Sequence, residues 1–119
     1  MVQEPRALYL VGMVTRLRTE AELAAAFAAP RYLLFKHSPT CPISAAAFAE
    51  YERWAAEHPG LATGWIEVVK ERPLARVVAE RTGVRHESPQ AILLVGGAAQ
   101  WNASHGAITV GSLEAAGRV

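Results

Sequence analysis

The chain of 119 residues carries 12 lysines and arginines against 11 acidic residues, a formal charge of +1, and is 51% apolar. That is the size of one domain, and so balanced a charge offers no electrostatic case for nucleic acid or an anionic membrane. No apolar run approaches the ~18 residues of a bilayer span, and Arg16, Arg18, Glu20 and Glu22 interrupt the apolar start before any cleavage site, so no secretory signal is expected.

Residues 1–18 read as a lead-in with a candidate first strand between Ala7 and Leu17, and residues 19–119 as a single domain. Thr19-Glu20-Ala21-Glu22 has capping-box spacing, and Leu23, Ala26 and Phe27 follow at helical intervals until Pro30. Tyr32 to Phe35 is a continuous apolar run before the Ser38-Pro39 turn, the pattern of a strand buried on both faces. From Pro42 to about His58, Ile43, Ala47, Tyr51 and Ala55 share a helical stripe that Pro59-Gly60 ends.

Thr63 to Val69 alternates apolar and polar residues of β-favouring type and predicts a second core strand. Pro73 opens a helix with the stripe Leu74, Val77, Val78 and Arg81, which Gly83 closes. Ala91 to Val95 is a further buried strand, Gly96-Gly97 a hairpin turn and Ala98 to Ala103 its partner. A last helix, capped by Thr109, runs from about Val110 to Ala116. Helices between strands call for parallel pairing with right-handed crossovers, and the hairpin adds an antiparallel edge. The expected class is therefore α/β, a mixed sheet covered on both faces. Trp54, Trp65 and Trp101 are assigned to the core.

The chemistry centres on Cys41, the only cysteine. It cannot form an internal disulfide, which fits a reducing cytosol. It stands where the apolar run ends and the alanine-rich helix begins, so the unsatisfied N–H groups and the positive end of the helix dipole favour the thiolate. Pro42 suits the first turn, where its missing N–H is no loss. Thr40 precedes the sulfur, and Ser44, three residues on, faces it across one turn. The bland reading is an inert buried thiol packed as a small hydrophobe, and the helix-start position argues against it. His37 is read either as a group that favours the thiolate or as a hydrogen-bond donor at the strand end. No short-spaced ligand cluster suggests a metal site. Every acidic residue is a glutamate, which excludes mechanisms that specifically require aspartate.

The run Phe35-Lys36-His37-Ser38-Pro39-Thr40-Cys41-Pro42-Ile43-Ser44, the segment Gly83 to Gln90 with Ser88-Pro89, and Trp101-Asn102-Ala103-Ser104-His105 followed by Ile108-Thr109 agree in order and spacing with one family. They resemble the bacillithiol-system thioredoxin-like proteins of the YtxJ type, the monothiol bacilliredoxins. The resemblance implies a thioredoxin-like three-layer α/β/α fold and a cytoplasmic thioltransferase that removes bacillithiol from protein mixed disulfides. It makes Cys41 the attacking sulfur and puts Ser44 in the place of a resolving cysteine. It makes Pro89 the superfamily's cis-proline beside the sulfur and Ser88 a substrate-docking residue. It also implies no bound cofactor, bacillithiol as co-substrate, bacillithiolated proteins as partners, and a low-molecular-weight thiol or another redoxin as the resolving thiol. Bacillithiol carries two carboxylates, for which Lys36, His37, Arg85 and His86 are the candidate cations.

Two rival functions remain at this stage. One is an iron–sulfur carrier of the monothiol glutaredoxin kind, against which Pro42 stands where that family has glycine. The other is a non-catalytic binding module that keeps the frame with Cys41 buried.

Overall fold

The structure, a computed structural model, describes residues 14–117. Residues 7–13 of the candidate first strand lie outside the described residues, and its described part is the two-residue strand β1, Thr15–Arg16. Helix α1, Glu20–Ala28, begins with the predicted reciprocal cap: Glu22 N–H donates to Thr19 Oγ1, and Thr19 N–H donates to the Glu22 carboxylate, both at 3.1 Å. There follow β2 (Arg31–His37), α2 (Pro42–Glu57), β3 (Thr63–Glu67), α3 (Arg72–Thr82), β4 (Gln90–Val95) and β5 (Ala98–Ser104). A short 3-10 turn, His105–Ala107, leads into α4, Val110–Gly117.

The sheet order is β1-β3-β2-β4-β5. β3 lies parallel to β1 and β2, whereas β4 runs antiparallel to both β2 and β5. At the Gly96-Gly97 turn both residues have positive φ, 58° and 81°, a conformation that glycine adopts without a Cβ penalty. The mixed α/β class expected from the order of elements is the class observed.

Alternation along β2 divides the core in two. Tyr32 and Leu34 face α1 and α3 with Leu23, Phe27, Leu74 and Val78, while Leu33 and Phe35 face α2 and α4 with Tyr51, Trp54 and Leu113. Each fully buried Leu or Phe contributes about 1.5–3 kcal/mol through apolar burial. Arg81, placed by its spacing on the buried stripe of α3, instead lays its guanidinium 4.0 Å over the Phe27 ring. Trp54 is buried, and Trp65 and Trp101 pack half-buried against the α2 side of the core.

Two strand limits differ from expectation. β2 continues past Phe35 through Lys36 and His37, because the ladder pairs Lys36 with both Ile66 and Gln90 and so keeps a charged residue in a central strand. β3 stops at Glu67 rather than Val69, because the Glu67 carboxylate accepts the N–H groups of Val69 and Lys70 at 2.8 and 2.6 Å and turns the chain away.

Gly64 marks a close approach: a Cβ there would collide with the Tyr32 hydroxyl and lie 2.9 Å from the Thr15 carbonyl oxygen. Gly64→Ala is expected to lower stability by about 1–3 kcal/mol through overpacking. The midpoint of urea unfolding measures this, and an unshifted midpoint would show that β1 and Tyr32 yield freely.

Candidate active site

β2 delivers its last residue, His37, to a turn of three residues that ends at the thiol. Cys41 is the N-cap of α2, with extended backbone (φ −102°, ψ 121°) and a half-exposed side chain. Its N–H donates to the Ser38 carbonyl at 3.1 Å, and its own carbonyl accepts the Ala45 N–H at 3.0 Å. The sulfur caps no first-turn amide. It therefore stands uncommitted at the start of a 16-residue helix. Thr40 and Pro42 flank it, both exposed.

Ser44 is fully buried, and its hydroxyl is engaged on the inner side. Ser38 N–H donates to Ser44 Oγ at 2.9 Å, and His37 Nδ1 lies 2.8 Å from the same oxygen. Ser44 has one proton to give. With the imidazole proton on Nε2, that hydroxyl proton goes to His37; with it on Nδ1, the hydroxyl is free to turn elsewhere. The His37 ring stacks on Phe48 at 4.3 Å between centroids and meets Trp65 edge-on at 5.6 Å. Burial lowers its pKa, opposed by the Glu67 carboxylate, so the ring is neutral at neutral pH. His37 thus supports the Ser38–Ser44 turn and is not a surface cation for a carboxylate.

Lys36, the next candidate cation, has no exposed surface. Strand alternation directs it away from α2 and Cys41, and its ammonium donates to Nδ1 of His86 at 3.2 Å. Burial draws its pKa down to about 8, against the pull of Glu87. Of the four basic residues predicted to meet substrate, only Arg85 and His86 stand at the surface. Arg85 is almost fully open, 4.0 Å from Glu87. The His86 pKa is lowered by partial burial first, then by Lys36 and Arg72, with Glu87 opposing.

The Ser88-Pro89 bond is cis. The β2–β4 register sets Gln90 opposite Lys36, so this step lies at the sheet end that carries His37 toward Cys41. Ser88 Oγ is buried without a partner, and neither the N–H nor the C=O of Ser88 has a hydrogen bond among the described residues. Pro89, by contrast, is fixed: its carbonyl accepts the His105 N–H at 3.1 Å.

Sequence reasoning passed over Gln90, which is buried beside Lys36. Its Nε2 donates to the Arg85 carbonyl at 3.0 Å and its Oε1 accepts the Glu87 N–H at 3.4 Å, so the segment before Pro89 is tied down from below. Its place directly after Ser88-Pro89 was the only sequence signal. His105, the one non-glycine residue with positive φ (54°) among those described, lines a groove of about 470 Å³ with Pro42 and Ile43. A potential ligand cluster missed by spacing, Glu57, His58 and Glu114, gathers within 4.8 Å at the far end of α2, remote from the thiol.

The family described as monothiol bacilliredoxin BrxC matches residues 15–113. The chain belongs to the monothiol bacilliredoxin family. Among solved structures, it is 34% identical to a protein described by its thioredoxin fold, with a TM-score of 0.85 over 92% of this chain and 97% of that one. It shares the fold, at 11% identity and TM-score 0.71, with mitochondrial thioredoxin 3 from Saccharomyces cerevisiae, covering 90% of this chain and 95% of that one. A thioredoxin from Halobacterium salinarum is similar at 18% identity and TM-score 0.69, covering 86% and 85%. A thioredoxin-like redox function follows for this bacilliredoxin. None of its helices among the described residues is long and apolar enough to cross a membrane.

Two substitutions separate support of the site from its chemistry. Ser44→Ala leaves the Ser38 N–H and the His37 ring without their shared partner, and a stability loss of about 1–3 kcal/mol is expected by urea unfolding. Lys36→Met should be more stable than the wild type at pH 7, because the folded state holds the buried ammonium at a cost. The Lys36 pKa is lower folded than unfolded, so the unfolded chain binds more protons between about pH 8 and 10.5 and wild-type stability rises across that window. The advantage of Lys36→Met should shrink over the same interval, and a constant difference would contradict burial as its cause.

Proposed function

We propose that this chain is a cytosolic monothiol thiol–disulfide oxidoreductase that removes bacillithiol from protein mixed disulfides. The observation that carries the reading is a single, half-exposed sulfur uncommitted at a helix start, with Ser44, at the position of a resolving cysteine, sealed inside by His37 and Ser38.

The Cys41 thiolate attacks the bacillithiol sulfur of a client–S–S–bacillithiol bond in line. A new Cys41–bacillithiol disulfide forms as the old bond breaks, and the client leaves as a thiolate that takes a proton from solvent. The chain has no second cysteine, so a separate thiol must finish the cycle. Free bacillithiol or a partner redoxin attacks the bacillithiol sulfur, takes it into a new disulfide and returns Cys41 as thiolate. The open N–H and C=O of Ser88 suit a client backbone arriving beside the sulfur. Arg85 is the exposed cation for the carboxylates of bacillithiol, and His86, whose Nδ1 accepts from Lys36, offers them an Nε2–H. The groove between Pro42, Ile43 and His105 offers room on the other side.

Intact-mass analysis after mixing with a bacillithiolated client tests the reading. A bacillithiol adduct on the wild type, reduced client in the same sample, and neither with Cys41→Ala are the expected results. An unchanged client with no adduct would overturn it. A brown chromophore after anaerobic iron reconstitution would then favour the cluster carrier.

A further inference from the structure

We propose that the N-terminal face of α3 is a docking surface for an acidic, partly apolar segment of the client protein, at the end of the sheet that carries the thiol but distinct from the groove at Pro42 and Ile43. This rests on the reading that protein mixed disulfides are the substrate.

The surface lies at the right end of the molecule. β2 and β3 are parallel with His37 opposite Glu67, so the chain leaving β3 emerges on the edge where β2 delivers Cys41. Ile43 and Val69 are the large apolar side chains left open among the described residues, 54% and 55% exposed. Ile43 follows Cys41 by two residues, and Val69 follows Glu67 by two. Open apolar side chains are ordinary when single, and Val69 gains meaning from the cavity and charge around it.

Val69 borders a cavity of about 340 Å³, floored by Val68 and Ala75 and walled by Arg72, Arg76 and His86. Its charge is one-sided. Arg72 and Arg76, one helical turn apart, have no ion pair among the described residues. Of the neighbouring carboxylates, Glu71 pairs with Arg16 at 3.9 Å, and Glu87 lies 4.0 Å from Arg85 and acts also on Lys36 and His86, so neither pairs with Arg72 or Arg76. The start of α3 has no acidic residue in its first turn and no side-chain cap from Glu71, so the positive end of an 11-residue helix carries two further positive charges. That arrangement is unfavourable in isolation and is relieved by an anionic partner. The apolar floor and Val69 ask for more than a small anion, and a peptide that alternates carboxylates with apolar side chains meets both demands. His86 joins this surface to Ser88, two residues on, so a client backbone paired at Ser88 continues onto α3.

The test uses two peptides that differ only in an acidic or a basic flank around one bacillithiolated cysteine, with a small bacillithiol mixed disulfide lacking any peptide as reference. The expected result is a kcat/KM about tenfold or more higher for the acidic peptide, carried in KM and diminished by salt. The double variant Arg72→Glu, Arg76→Glu should reverse the preference and leave the small substrate unchanged. Acidic side chains at that helix end are favourable, so the variant should retain its fold. In parallel, fluorescence anisotropy on Cys41→Ser with serine-containing versions of the peptides measures docking without chemistry, and the acidic peptide should bind more tightly. Equal rates and equal binding for the two flanks, or a loss in the double variant shared by all substrates, would overturn the docking surface. Preferential binding of the acidic peptide without turnover of any substrate would uphold the surface and overturn the bacillithiol reading instead.

Discussion

The hydroxyl of Ser44 is the joint on which the thiol turn depends. Through one oxygen it ties the last residue of the central strand, His37, and the first residue of the turn, Ser38, to the first turn of α2. Two stretches of chain, the His37-Ser38 junction and the start of α2, are thereby held together around Cys41, whose own N–H closes the turn onto Ser38. Aromatic packing supports the other side, because the imidazole stacks on Phe48 and meets Trp65 edge-on. The sulfur is then the one part of the turn that remains uncommitted.

The buried polar and charged residues of the described chain are Lys36, His37, Ser44, Glu67 and Gln90, and all lie at the Cys41 end of the sheet. Such groups are costly to bury unless their hydrogen bonds are met. Here each holds a loop. Ser44 holds the thiol turn, Glu67 the exit from β3, and Lys36 with Gln90 the segment before Pro89. The opposite end keeps its polar groups, Glu57, His58 and Glu114 among them, exposed or half-buried. Stability is thus drawn from the two apolar layers, and the polar investment is confined to the loops that must keep one shape around the sulfur.

Much of this was legible in the sequence where the cause is local. The Thr19 cap, Pro30, Pro42, Gly83 and the Gly96-Gly97 turn act within a few residues, and the elements they bound appear as read. Of the two misjudged strand ends, that of β2 has a non-local cause: Lys36 belongs to β2 only because Gln90 and Ile66 pair with it, and no periodicity within Tyr32 to Phe35 announces them. That of β3 is local, the Glu67 carboxylate turning the chain at Val69 and Lys70 where alternation alone would carry the strand on. The site divides in the same way. Cys41 stands out through residue type and neighbours, and Ser88 and Pro89 through the resemblance to a family. The inward turn of Ser44 and the contact between Lys36 and His86, 50 residues apart, are decided by packing. Residue type alone made Lys36 a surface cation, and the fold made it an internal support.

Ser88, at the thiol end of the sheet, keeps an N–H and a C=O without partners among the described residues. A chain that pairs with both must arrive extended, since a helical segment has already engaged its own groups internally. On the proposed function, cysteines modified within helices or closed sheets would meet Cys41 only after local opening of the client. At such positions the rate of repair would become a property of the client's own folding equilibrium, and the chain would read local unfolding as much as oxidation.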